Sequence, residues 1–163
     1  MPIAVAAQAL LLAAVLFSAV TDLLERRILN TVTFPLVVVG IAVHAIAAPL
    51  GTWWQGIAGL LAVGIPFFAI YAVGGGAIFG AGDVKLLMAV GAIAGVKLGL
   101  TIGIVSILFG GVLSLAALVL TARLGDVLRM FTKSRDPKTS LKLPFGVAIA
   151  AATTLLLSAQ GMQ

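Results

Sequence analysis

The chain has 163 residues, 62% of them hydrophobic and 9% charged, with a formal net charge of +5. Its mean hydropathy of +1.26 excludes an ordinary soluble enzyme, a disordered tail and a nucleic-acid-binding domain, because a water-soluble fold of this composition would expose most of its apolar side chains. Lipid must be the solvent.

No Asp, Glu, Lys or Arg occurs in 1–21, 28–82, 86–96, 98–122 or 143–163. The apolar runs are continuous and do not alternate, which excludes a β-barrel and predicts helices. At about 20 residues per crossing, the uncharged windows hold roughly six spans.

The first span is predicted over 3–21. No basic residue precedes its apolar core, so it reads as a retained helix and not as a secretory signal. It ends in the charge cluster Thr21-Asp22-Leu23-Leu24-Glu25-Arg26-Arg27, and Asn30 or Thr31 can cap the next helix. The long uncharged window is broken at Ala48-Pro49-Leu50-Gly51-Thr52 and at Gly74-Gly75-Gly76, giving spans near 32–48 and 55–73. Trp53 and Trp54, beside the first break, suit a membrane interface. Gly95-Val96-Lys97-Leu98-Gly99 divides the next stretch into spans near 84–96 and 99–122. Glycines at 91, 95, 99 and 103 are a small-residue packing signal.

Residues 123–142 form the one long polar segment. Leu124, Val127, Leu128 and Phe131 recur at helical spacing, with Arg123, Asp126, Arg129 and Lys133 on other faces. This predicts a short amphipathic helix on the membrane surface. Pro144 opens the last span. The predicted fold is an all-α polytopic membrane protein, one domain over 1–163, with the amphipathic helix between the fifth and sixth spans.

Loops alternate sides, so 22–30, 74–85 and 123–142 share one. They hold nine of the ten basic residues; Lys97 is the exception. The positive-inside rule makes that side cytoplasmic and both termini external. The basic balance is thus topogenic, and no nucleic-acid partner is expected.

The chain has no cysteine, which excludes a disulfide framework, thiolate metal sites and a cysteine nucleophile. His44 stands alone, so no metal ligand cluster is expected, and the glycine-rich stretch 74–82 fits neither GxGxxG nor GxxxxGK[ST]. No cofactor is expected.

Of five acidic residues, Asp126 and Asp136 lie in the polar segment among Lys and Arg. Asp22 and Asp83 differ. Each sits at the cytoplasmic end of an apolar span, on different helices. Asp83 precedes Lys97 by about 21 Å of helix, less than a hydrocarbon core of about 30 Å, so Asp83 lies inside the membrane boundary. Two carboxylates converging in a low-dielectric site cannot both ionise easily. Such a pair suits water-mediated peptide hydrolysis: one takes a proton from water, the other hydrogen-bonds the scissile carbonyl. Capping of helix ends is the competing role for each. Gly80 and Gly82 remove bulk beside Asp83, so an extended substrate can approach the backbone. Lys85 is either an interface anchor or a charge tuning an aspartate. Glu25, three residues from Asp22, is more simply paired with basic neighbours.

Gly80-Ala81-Gly82-Asp83-Val84-Lys85-Leu86 resembles the GxGD signature of the type IV prepilin peptidases. Residues Thr21 to Asn30 resemble that family's first aspartate motif, with Leu29 in place of the usual proline, and Leu143-Pro144-Phe145-Gly146 resembles a third segment, in the family's order. The resemblance implies an aspartic endopeptidase of the bacterial inner membrane. Asp22 and Asp83 are then catalytic, with Gly80, Gly82 and Lys85 against the substrate. It would clip the short basic leader of prepilins at the cytoplasmic face, usually after a glycine. Larger members carry paired CxxC motifs and N-methylate the new pilin terminus. With no cysteine, this chain resembles the compact peptidases of Flp/Tad-type pili, and methylation is not expected. A small transport or proton-relay protein, or a non-enzymatic pilus-assembly subunit, is the alternative.

Overall fold

The structure is a computed structural model that describes residues 2–47, 52–74, 80–120 and 145–161. The predicted amphipathic helix, with Arg123, Asp126, Arg129, Lys133 and Asp136, lies outside the described residues, as do Pro144 and most of both predicted breaks at 48–52 and 74–76. The described residues form α1 (Pro2–Glu25), α2 (Asn30–Ala47), α3 (Gln55–Gly74), α4 (Ala81–Leu120) and α5 (Phe145–Gly161), with no strand among them.

The first helix continues one turn past its predicted end. It closes at Arg26, whose φ of 53° is left-handed and whose amide donates to the Asp22 carbonyl at 2.9 Å. This is a left-handed C-terminal cap. Asp22 is therefore in the last helical turn and not in a loop. The buried positions Ala7, Leu11, Val15, Ser18 and Asp22 recur three or four apart and form one stripe. The stripe that packs α1 inward carries Asp22 at its end.

Helix α4 is the hub and touches the other four. It is not straight. Gly95 takes φ 75°, ψ −177°, a left-handed φ open to glycine, and the helix turns back there. On α3, Gly59 and Gly64 meet Gly91 and Met88, whereas Val63 and Phe67 meet Gly99 and Gly103. The arm before Gly95 thus runs antiparallel to α3 and the arm after it parallel, so the two arms are antiparallel to each other. The reversal falls at the first residue of the predicted 95–99 break. Gly59 and Gly91 stack so closely that a Cβ on either would collide with the other's carbonyl oxygen, the close approach that small residues permit between helices in lipid.

Among the described residues three helices are long and apolar enough to cross a membrane: Val5–Glu25, Gln55–Gly74 and Ala81–Ala116. Asn30–Ile46 and Phe145–Ala159 are shorter apolar helices. Two predicted spans sit in one helix with a reversal, and the described parts of two others are shorter than a full crossing. The surface is apolar. Phe17, Val38, Ile65, Val73 and Leu108 are all more than half exposed, as expected where lipid tails replace water.

Candidate active site

The N-termini of α2, α4 and α5 meet the C-terminus of α1 at one end of the bundle. Three cross-helix contacts fix this. Gly146 N of α5 donates to Asp22 Oδ2 at 2.8 Å. Lys85 Nζ of α4 donates to Asn30 Oδ1 of α2 at 3.1 Å. Gly82 of α4 lies against Ile28 of the connection between α1 and α2.

Asp22 and Asp83 are both brought to this end, and each is 8% exposed. They lie within electrostatic reach of each other, α1 and α4 being in direct contact. Asp83 Oδ2 accepts from Gly80 N at 2.7 Å. With Gly80 immediately before the helix, this is the reciprocal half of a capping box, in which the third helical residue reaches back to the cap amide. Asp22 caps α5 from another helix, 124 residues away in sequence. The capping role is therefore realised at both aspartates. One oxygen of each carboxylate is held by a backbone amide.

The five candidate residues occupy different roles around this point. Gly80 is exposed, and a Cβ there would stand 3.3 Å from Asp83 Oδ2. At Gly82 a Cβ would come within 3.0 Å of Ile28 Cβ. The space beside Gly82 is thus filled by the protein's own Ile28, which seats the first connection on α4. Lys85 bonds Asn30 and holds its ammonium 5.7 Å from the Phe34 ring centroid, a cation–π distance. Glu25 is exposed at the end of α1. Asp126 and Asp136 are outside the described residues.

A groove of about 380 Å³ opens between α2, α3 and α4, and Asp83 is not among the residues that line it. Ala81, Val84 and Lys85 form its α4 wall, facing Phe34, Phe68 and Tyr71 among others. Lys85 is its one charged lining residue.

Gly146 is the site residue that the sequence did not reveal. It is buried, and a Cβ there would lie 2.9 Å from Asp22 Oδ2. Its signal was the Pro144-Phe145-Gly146 run at the start of the last span, which matched a family segment without a chemical role attached.

His44 is at the opposite end. Its Nε2 lies 3.1 Å from the Ile93 carbonyl, and since a carbonyl only accepts, Nε2 carries the proton. The reversal at Gly95 takes helical amides away from the carbonyls of that last turn, and His44 supplies a donor instead. This is a structural hydrogen bond at the reversal. Among the described residues no group of three or more His, Cys, Asp or Glu is placed to hold a metal.

The match to known proteins decides the family. A model of the type IV leader peptidase family matches residues 9–115. The chain belongs to that family. The prepilin leader peptidase/N-methyltransferase of Bacillus subtilis (strain 168) is 35% identical over 115 residues. That alignment covers 71% of this chain and 40% of the relative, so the chain spans less than half of that protein's length. No solved structure matches the chain. The matched region contains Asp22, Gly80, Gly82, Asp83 and Lys85; Gly146 lies beyond it.

Proposed function

We propose that this protein is a membrane aspartic endopeptidase that removes the short basic leader of type IV prepilins. The observation that carries the reading is the convergence of two buried carboxylates from separate helices at one end of the bundle, each held through one oxygen. Asp22 and Asp83 are the catalytic pair. One carboxylate takes a proton from water as that water attacks; the other, protonated, hydrogen-bonds the scissile carbonyl. A helical peptide bond hides its carbonyl in its own hydrogen bond, so the substrate lies extended. Gly80, exposed and next to the Asp83 carboxylate, keeps its approach clear of side-chain bulk.

The bias of nine basic residues to one side supports a site at the cytoplasmic face of the bacterial inner membrane. That orientation needs six crossings, with α4 crossing twice by its reversal and both shorter apolar helices crossing as well. The whole of 1–163 acts as one membrane-embedded domain. The relative's name includes an N-methyltransferase; this chain has no cysteine and only a short connection between α1 and α2. We assign it peptidase activity without methylation, of the Flp/Tad type.

The test is incubation of the purified protein, in detergent or lipid, with a prepilin bearing a short basic leader that ends in glycine. Mass spectrometry of the product should show loss of the leader and no added methyl group. An intact prepilin after prolonged incubation would overturn the assignment.

A further inference from the structure

Ser18 is 1% exposed, and its Oγ has no hydrogen-bond partner. The other fully buried hydroxyls behave differently. Ser106 bonds the Ile102 carbonyl at 2.7 Å, and Thr153 the Ile149 carbonyl at 2.7 Å. Thr33 bonds back to Asn30. Each closes on its own helix, the usual refuge of a helical hydroxyl. Ser18 does not. Leaving such a group unpaired in a buried site costs about 1–3 kcal/mol.

Its position is informative. Ser18 is one turn before Asp22 on the same buried stripe of α1. Side chains four apart have Cβ atoms about 5–6 Å from each other, and helical side chains lean toward the N-terminus, so Asp22 leans over Ser18. Asp22 Oδ2 is taken by Gly146 N, which leaves Oδ1 as the remaining acceptor. Ser18 Oγ makes no direct hydrogen bond to that oxygen, and a buried water is held by polar groups that have no other partner.

We propose that Ser18 is a positioning residue for Asp22. Its hydroxyl donates to one buried water, and that water donates to Asp22 Oδ1. The amide of Gly146 and this water then grip the two oxygens from opposite sides and fix the carboxylate plane. The water lies on the membrane-core side of Asp22, so it orients the acid and does not attack the substrate. This inference rests on the reading of Asp22 as a catalytic acid.

Leader removal is measured for wild type, Ser18→Ala, Ser18→Thr and Asp22→Asn in one detergent preparation, with kcat, KM and melting temperature for each. Ser18→Ala should lower kcat roughly ten- to a hundredfold, the scale of a hydrogen bond to a charged group. KM should stay within about twofold, and the melting temperature should hold or rise. Ser18→Thr keeps the hydroxyl and should recover kcat to within about threefold of wild type. Unchanged kcat in Ser18→Ala, as for a hydroxyl that only bonds the Ala14 carbonyl, overturns the proposal. So does a parallel fall of kcat and melting temperature, or a folded Thr variant as slow as Ala. If the added methyl unfolds the Thr variant, the Ala variant decides alone. An inactive Asp22→Asn with a fast Ser18→Ala removes the Ser18 role only, whereas an active Asp22→Asn removes the reading of Asp22 itself.

Discussion

At the residue scale, the site depends on small groups placed against carboxylates. Gly146 shows this best. A Cβ there would stand 2.9 Å from Asp22 Oδ2 and 3.1 Å from Asp22 Cβ, so Gly146→Ala must push the aspartate aside while leaving the first turn of α5 helical. We expect turnover to fall by about tenfold, since the carboxylate shifts by only part of the 1 Å that costs about a hundredfold, with a small change in melting temperature. A variant with wild-type kcat would show that Asp22 needs no such seat. Gly82 behaves otherwise, because its neighbour is Ile28 and not open space. Gly82→Val should lose stability and activity together, by about 1–3 kcal/mol for overpacking. Ala81→Val, at an exposed position, should keep its melting temperature. Equal melting temperatures for the two variants would contradict the packing. Asp22 and Asp83 were legible in sequence because acids are rare here and both sit at the ends of apolar spans. Gly146 and Ser18 were not, since a glycine in an apolar helix and a serine in a membrane stripe are ordinary by composition. The Gly146–Asp22 hydrogen bond appears only when α5 is laid against α1.

At the scale of elements, α4 and its partner α3 determine where Asp83 stands. The arm from Ala81 to the reversal rises about 20 Å, and its far end is fixed by the left-handed Gly95 and by His44 on the Ile93 carbonyl. Gly95→Ala forces a Cβ into a φ of 75° and should cost about 1–2 kcal/mol. Gly59→Ala drives α3 off α4 and should cost more, because the obstruction is the Gly91 backbone and backbone cannot rotate away. Thermal unfolding in detergent gives both. A Gly59→Ala protein as stable as wild type would contradict the close stacking of these helices. The glycine repeat at 91, 95, 99 and 103 revealed that something packs closely. It did not reveal that one of the four is a hinge and the other three face α3. Periodicity cannot distinguish a straight small-residue face from two arms folded together; only the partner contacts can.

At the scale of the whole molecule, the all-helical character and the basic bias were readable from hydropathy and charge alone. The number of crossings was less so. Composition did not show that the spans predicted at 84–96 and 99–122 lie in one helix that reverses at Gly95. The chain has no native cysteine, so single introduced cysteines report sidedness cleanly. Residues 23–30 should label from the cytoplasm, and position 53 from the outside. Labelling of both from one side would remove the orientation, and with it the cytoplasmic site.

The central claim is that two acids act together, and it is tested most directly on the acids themselves. Asp22→Asn and Asp83→Asn keep the size and the backbone hydrogen bond of each side chain while removing its proton chemistry. Each variant, purified and folded, should leave a prepilin intact under conditions in which the wild-type protein removes the leader. The expected loss for either alone is at least about a thousandfold in kcat, since residues that act as a unit fail together. Turnover near the wild-type rate in either variant would contradict the account.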